Sequence, residues 1–323
     1  MDRGRLTGLD GLRGIAAVAV LLHHVFVVPG SKGYLAVDFF FMLSGYVMAR
    51  TYEARMAVPE GAAHFMRERV RRLYPVIFFA SLLCMPWTIW HAGDNAWWII
   101  LLNLLLIPTP ALGQIYMLNP PAWSILLELF ANLVHALGLH RLGRAALAGL
   151  VAALLPLLAW FTAQGQSDTR SLYDLLAAGP VRVLLPYGIG VLLYRLWRDV
   201  PPFKVPAMVT WGAMPVWLLA TTLLAASPWW AALLFVVLLC PLLIAGGLQH
   251  GKGSKALALI GEMSFPLYAV HAAVLLPMKD YQLGWLPQIA GSLAAGLAFM
   301  LALRRFNAWQ RRRARLPSAP LAA

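Results

Sequence analysis

Eleven apolar runs, at about 9–29, 35–50, 74–91, 97–107, 121–139, 145–163, 179–196, 207–226, 229–248, 256–277 and 285–303, occupy most of this 323-residue chain. Crossing the hydrocarbon layer as a helix takes about 20 apolar residues, with roughly 17 as the usual minimum. The runs therefore predict an all-α fold, a polytopic bundle of membrane helices. Composition agrees: Asp, Glu, Lys and Arg make up 12% of the chain, against roughly 25% in an average soluble domain. A water-soluble globule is excluded.

The run from Trp97 to Ile107 is the shortest and is closed by Pro108 and Pro110. Charge decides whether it crosses. With the N-terminus cytoplasmic and 97–107 not crossing, 22 of the 26 Lys and Arg residues lie inside, leaving Lys32, Arg170, Arg182 and Lys279 outside. If it does cross, every later loop changes side and the division becomes 12 inside and 14 outside. Cytoplasmic loops carry the basic excess. The expected arrangement therefore has about ten transmembrane helices, both termini cytoplasmic, and a short re-entrant or interfacial segment at about 97–118. Non-helical backbone at that depth must be buried in protein or line a wet cavity, which makes this segment a candidate pocket wall. Residues 1–305 form the expected membrane domain and 306–323 a basic cytoplasmic tail.

The net charge of +13 follows the same pattern. In a soluble chain it would point to nucleic acid; here the basic residues cluster between apolar runs, and no nucleic-acid partner is expected. Cys84 and Cys240 lie within apolar runs, so no disulfide framework is expected. The first run reads as a retained helix, because Arg13 interrupts it, His23 and His24 lie inside it and no small-residue cleavage site follows.

Ionisable side chains inside spans are costly and usually face the bundle interior. In the first span, Arg13 and His24 are eleven residues apart, about 20° past three full turns and about 16 Å of rise, so they share a face. Asp10 lies on the same side, while His23 points about 100° away from His24. Gly8, Gly11 and Gly14 would let another helix or a ligand approach closely. Asp38 opens the second span, as a cap or as a functional acid. The inner loop ending Arg67-Glu-Arg-Val-Arg-Arg-Leu-Tyr-Pro75 puts Arg69 and Arg72 on one helical face, suited to a phosphate group or to anionic lipid. In the span opening at Trp123, Ser124, Glu128, Asn132 and His135 recur at spacings of four, four and three as one polar stripe, either a site wall or an interhelical hydrogen-bond seam. A weaker stripe, Ser264, Tyr268 and His271, runs along 256–277.

Metal-ligand spacing is absent, as are the nucleophile elbow, the P-loop and the dinucleotide glycine fingerprint. Histidine and carboxylate inside a bundle, with arginines at its cytoplasmic mouth, suit group transfer from an anionic cytoplasmic donor. The arginines would hold phosphates, and His24 would act as general base on an acceptor hydroxyl.

At these residues the sequence resembles the membrane acyltransferase 3 family. Leu9-Asp-Gly-Leu-Arg-Gly-Ile-Ala-Ala17 with His24 is similar to the family's opening helix, in which Arg and His are separated by ten residues. In the family's order follow Val37-Asp-Phe-Phe-Phe41 with Ser44-Gly45, Arg69 and Arg72 ahead of Leu73-Tyr74-Pro75, Trp123-Ser124 with Glu128, and Met263-Ser-Phe-Pro-Leu-Tyr268 with His271. The run after Trp-Ser departs from the family's usual acidic and aromatic pattern, since Glu128 is followed by Leu129-Phe130-Ala131.

The resemblance implies a bacterial inner-membrane O-acyltransferase. It would move an acyl group, most often acetyl, from acyl-CoA to a hydroxyl of a carbohydrate or lipid-linked sugar. By resemblance, Arg13, Arg69 and Arg72 engage acyl-CoA and His24 is the catalytic histidine, with Asp38 and Glu128 as further catalytic candidates. Asp10, Ser44, Tyr74, Trp123, Ser124, Asn132, Tyr268 and His271 would support them. No cofactor is expected to be permanently bound. On this reading the thioester arm spans the 16 Å between Arg13 and His24, and the acceptor arrives from the outer side past Asp38 and Glu128. Direct transfer and a two-step route through an acyl-enzyme both stay open, as do two other functions: a glycolipid flippase or permease without acyl transfer, and a different membrane acyltransferase that places its chemistry on His271.

Overall fold

Long apolar stretches can satisfy their backbone within a membrane as helices, and the computed structural model is built that way. It describes residues 4–26, 28, 32–109, 114–166, 171–224 and 228–313. Among the described residues every regular element is helical: α1 Thr7–Val25, α2 Ala36–Met56, α3 Gly61–Ala92, α4 Ala96–Leu104, α5 Ala122–Leu137, α6 Arg144–Ala163, α7 Gly179–Trp197, α8 Ala207–Leu223, α9 Trp230–Leu234, α10 Cys240–Gln249, α11 Lys255–Asp280 and α12 Trp285–Arg313. A π turn over Phe235–Leu239 joins α9 and α10 into one rod, and another over Asp174–Ala178 leads into α7.

Seven of these segments are long and apolar enough to cross a membrane: α1, Gly61–Leu104, α6, Asp174–Trp197, Trp230–Gln249, α11 and α12. The helices α5 and α8 are apolar but shorter. With 21 residues α2 is long enough, but it carries Asp38, Arg50, Glu53 and Arg55. Together these ten units coincide with the ten runs expected to cross.

Two segments depart from the reading of the sequence. The arginine-rich stretch before Pro75 is helical rather than a loop, because α3 is one 32-residue helix through Pro75 and Pro86, about 48 Å long against a hydrocarbon thickness of about 30 Å. The basic tail expected at 306–323 starts as a continuation of α12, which runs to Arg313, and its residues 314–323 lie outside the described residues.

The run at 97–107 forms only the nine-residue α4, about 14 Å of helix and too short to cross. The chain then leaves helical geometry, with Leu106, Thr109, Tyr116, Leu118 and Asn119 buried. Residues 110–113 of this segment lie outside the described residues; among the described ones, side chains take up several of its backbone groups, as apolar surroundings demand. The Asn103 amide donates to the Ile107 carbonyl and accepts from the Leu118 N–H, Tyr116 donates to the Leu106 carbonyl, and Tyr74 donates to the Leu104 carbonyl. Asn119 anchors the segment on Ser81 of α3 and the Ala269 carbonyl of α11. It packs as a plug and does not line the arginine cavity described below.

Packing is most extensive between α2 and α7, between α1 and α11, and between α11 and α12. The first contact depends on two glycines. A Cβ on Gly45 would strike the Tyr187 carbonyl, and one on Gly190 would strike the Met42 carbonyl, so each backbone lies directly on the other. Along α1, Gly8 abuts the Gly247 and His250 carbonyls and Gly14 abuts Ile260, as the small residues of that span lead one to expect.

Candidate functional site

The geometry of α1 places Arg13 and His24 at opposite ends of one helix face, and α11 runs alongside. At the arginine end, Arg13, Ser44, Arg69, Arg72, Glu128 and Tyr268 line a cavity of about 110 Å³. Arg13 and Arg72 also line a wider space of about 500 Å³, together with Arg5, Arg50 and Arg304. Asp10 borders this vestibule and is paired with Arg5 at 2.6 Å and Arg13 at 3.6 Å. Glu262, on the same wall, is held by Arg304.

Deeper in, Glu128 Oε1 accepts from the Arg69 guanidinium at 2.5 Å and from the Ser44 hydroxyl at 3.0 Å. Arg69 is buried, and its Nε has no partner among the described residues. A buried arginine with a spare donor in the wall of a cavity is a ready acceptor of negative charge. Arg72, one turn further along α3, is exposed to the same cavity.

Tyr268 joins this cluster to the histidines. Its hydroxyl lies 2.6 Å from the Ser124 hydroxyl, which itself donates to the Pro121 carbonyl, and its ring stands 5.9 Å from that of His271. The His271 ring in turn stacks on His24, centroids 5.1 Å apart and planes 24° from parallel. His271 Nδ1 donates to the Tyr268 carbonyl at 2.7 Å, which leaves Nε2 with the lone pair of the neutral ring. The carbonyl of His24 accepts from Lys279 Nζ at 2.5 Å. His24 itself does not line the arginine cavity; it lies beyond Tyr268, about 16 Å along α1 from Arg13.

Other residues marked by the sequence lie elsewhere. Asp38 forms an ion pair with Arg182 through both carboxylate oxygens, and both residues are 2% exposed. The guanidinium is sandwiched between Tyr34 and Trp123, 5.0 and 4.9 Å from the ring centroids. Arg182, counted on the outer side by the charge arithmetic, sits in the first turn of α7 and supplies the charge that Asp38 requires. Asp38 does not line the cavity, and Glu128 stands among arginines. The acceptor path inferred past Asp38 and Glu128 therefore does not follow this geometry, because one acid is closed in and the other belongs to the arginine end.

The stripe on α5 is divided. Ser124 and Glu128 face the cavity. Asn132 and His135 are buried in a separate knot, in which Tyr187 bridges Asn132 and His135 and Glu53 joins His135 to Arg195. Arg195 also donates to the Leu139 and Leu142 carbonyls. Tyr74 belongs to the plug after α4 and Trp123 to the Arg182 sandwich. Sequence reasoning did not anticipate Arg182, Lys279, Glu53 or Arg195 in these roles. A signal existed for Arg182, an arginine within the apolar run 179–196.

Fold and site together define a multi-pass membrane protein with an arginine-lined cavity at one end of a helix pair and stacked histidines at the other. The sequence matches the acyltransferase 3 family, described as an acyltransferase domain, over residues 6–305; the chain belongs to that family. It is similar to the acyltransferase MdmB of Streptomyces mycarofaciens, 28% identical over 360 aligned positions that cover 92% of this chain and 87% of that protein. Protein 2 in the picA locus of Rhizobium radiobacter is 32% identical over 154 residues, 40% of this chain and 79% of that protein. The O-acetyltransferase OatA of Staphylococcus aureus is 31% identical over 86 residues, 26% of this chain and 14% of that protein. No solved structure matches.

Proposed function

We propose that this membrane acyltransferase is an O-acyltransferase of the bacterial inner membrane, both termini cytoplasmic, that transfers an acyl group, acetyl by preference, from cytoplasmic acyl-CoA to a hydroxyl of a carbohydrate or glycolipid. The observation that carries the reading is the pairing of two features on α1 and α11. Arginines cluster at one end, and His24 rests against His271 one pantetheine-like span away.

In this reading the donor's phosphates rest on Arg13 and Arg72 in the vestibule, and the thioester arm passes Tyr268 toward His24. Arg69 holds Glu128 and contributes its free Nε to the cavity, so it shapes the passage as well as its charge. His24 takes the proton of the acceptor hydroxyl as the oxygen attacks the thioester carbon. The carbon–sulfur bond then breaks, and the departing thiolate takes that proton as coenzyme A leaves. His271, with its tautomer fixed by the Tyr268 carbonyl, braces the His24 ring. Asp38 and Arg182 support this end as a neutralised pair.

The test uses purified full-length protein in vesicles with labelled acetyl-CoA and host membrane extract as acceptor. His24→Ala should abolish transfer while thermal unfolding stays near wild type. His271→Ala should slow transfer with less effect. Full activity of His24→Ala would sink the role of His24, and the reverse ranking of the two variants would move the chemistry to His271. Movement of glycolipid without consumption of acyl-CoA would identify a flippase instead.

A further inference from the structure

The cavity at the arginine end stops short of the histidines, and its closed end is built from aromatic rings. Along α2 it follows one stripe, Val37, Phe40, Phe41, Ser44, Val47 and Met48, which spans about 16 Å of helix. Ser44, held to Glu128, is the polar position of this stripe; from there to Val37 the α2 wall is apolar. Gly33, just before α2, abuts His23, whereas Leu43 and Val47 share the vestibule with Asp10 and Arg13. The helix α2 therefore runs antiparallel to α1 beside it, and Phe40 stands between the arginine end and the histidine end.

Phe40 belongs to a second surface as well. It packs against an apolar cluster of Ala17, Leu21, Leu267 and Leu275, and Ala17 and Leu21 are the part of α1 that lies between Arg13 and His24. Its ring meets Tyr268 edge-on, centroids 6.0 Å apart, and Tyr268 is the neighbour of His271. Together the two rings close the cavity against the histidines. They are not held alike. Tyr268 is buried and tied by its hydroxyl to Ser124 at 2.6 Å, whereas Phe40 is half-buried and held by apolar contacts alone. Phe40 is therefore the ring that can turn. Phe41, the other ring of the stripe, is buried and braced on Trp123, which in turn stacks on Arg182.

Resting on the acyl-transfer reading above, we propose that Phe40 is the specificity-determining residue for the acyl group and restricts the donor to short, acetyl-sized thioesters. The arm of the donor lies along the α2 stripe, its phosphates at the arginines and its acyl end against Phe40. The thioester passes between Tyr268 and Phe40 to reach His24 as the Phe40 ring turns aside. A short acyl group fits the space that the turned ring leaves. Each further methylene presses on the packed cluster between α1 and α11, and a close-packed interior resists even one added methylene.

The readout is a ratio, which cancels differences in expression and in the folded fraction. Full-length protein in vesicles receives equal amounts of acetyl-CoA and butyryl-CoA carrying different labels, with host membrane extract as acceptor, and both acyl groups are counted in the product. Wild type should favour acetyl by about tenfold or more, the scale on which a pocket distinguishes added methylenes. Phe40→Leu should lower that preference about tenfold, Phe40→Ala should lower it further, and Phe40→Trp should raise it. Leu275→Val loosens the same apolar cluster from outside the cavity lining and should keep the wild-type ratio. A wild type that transfers butyryl as readily as acetyl would overturn the role of Phe40 while sparing acyl transfer. So would an unchanged ratio in Phe40→Leu, or an equal change in Leu275→Val. A wild type that consumes neither thioester would overturn the acyl-transfer reading and the role of Phe40 with it.

Discussion

Replacing Arg182 with Met tests whether the Asp38–Arg182 pair is a buried charge pair held by geometry. Both partners are 2% exposed, so Asp38 would be left without a counter-charge in apolar surroundings. Breaking a buried pair from one side costs about 3–5 kcal/mol. Arg182 also loses its stacking on Tyr34 and Trp123, with cation–π contacts worth about 0.5–2 kcal/mol each. At about 2–4 °C of melting temperature per kcal/mol, a scale set on soluble domains, the pair alone accounts for a drop on the order of 10 °C in detergent. Asp38→Asn should lie at the mild end, because its amide oxygen still accepts from the guanidinium. The double variant Asp38→Leu with Arg182→Met removes both charges, and well-packed apolar replacements of buried pairs are often neutral. It should therefore melt above the Arg182→Met single variant. Thermal unfolding of wild type, Asp38→Leu, Arg182→Met and the double variant closes the cycle. A shift below about 2 °C for Arg182→Met, or a double variant that loses the sum of the singles, would refute the reasoning.

Three further outcomes follow from the packing and the cavity. Gly45→Ala or Gly190→Ala should each destabilise the protein by about 1–3 kcal/mol or more, seen as a lower melting temperature, because the added carbon meets a backbone carbonyl of the partner helix. Glu128→Gln leaves Arg69 charged and less well paired, and should depress acyl transfer at saturating donor more than a change of Arg5 at the vestibule rim does; equal effects on steady-state rates would contradict the distinction. Cys84 and Cys240 are buried, so a maleimide reagent should label them only after denaturation, and rapid labelling of the folded protein would show that those helices pack otherwise.

Much of this architecture is legible in the chain. The apolar runs locate the helices, and the arithmetic of basic residues singles out 97–107, which proves to be a nine-residue helix followed by a buried plug. The helical spacing of Arg13 and His24 anticipates that one helix carries both the cavity arginine and the histidine stacked on His271. What spacing cannot supply is the opposing surface. The stripe on α5 has one face, yet Ser124 and Glu128 meet a cavity while Asn132 and His135 meet Glu53 and Tyr187, because different helices lie opposite its two halves. The partner of Asp38 lies 144 residues away, a separation that no local pattern encodes. The stacking of His24 on His271 also needs the tertiary fold, although matching depth in two spans of the same direction was a usable hint.

The same separation bears on how the protein is made. When α2 enters the membrane, neither the guanidinium that neutralises Asp38 nor the carbonyl ridge against which Gly45 lies has yet been synthesised. At about 5–20 residues per second, α7 follows α2 by roughly 7–30 s. For that interval α2 has its apolar length but lacks its charge partner and its closest neighbour. Its acid lies near one end, where a side chain can remain in the interface. Assembly of the half of the bundle around α5 therefore waits on α7, and variants that weaken the α2–α7 contact should reveal themselves first in the yield of inserted protein, before any change in turnover is measured.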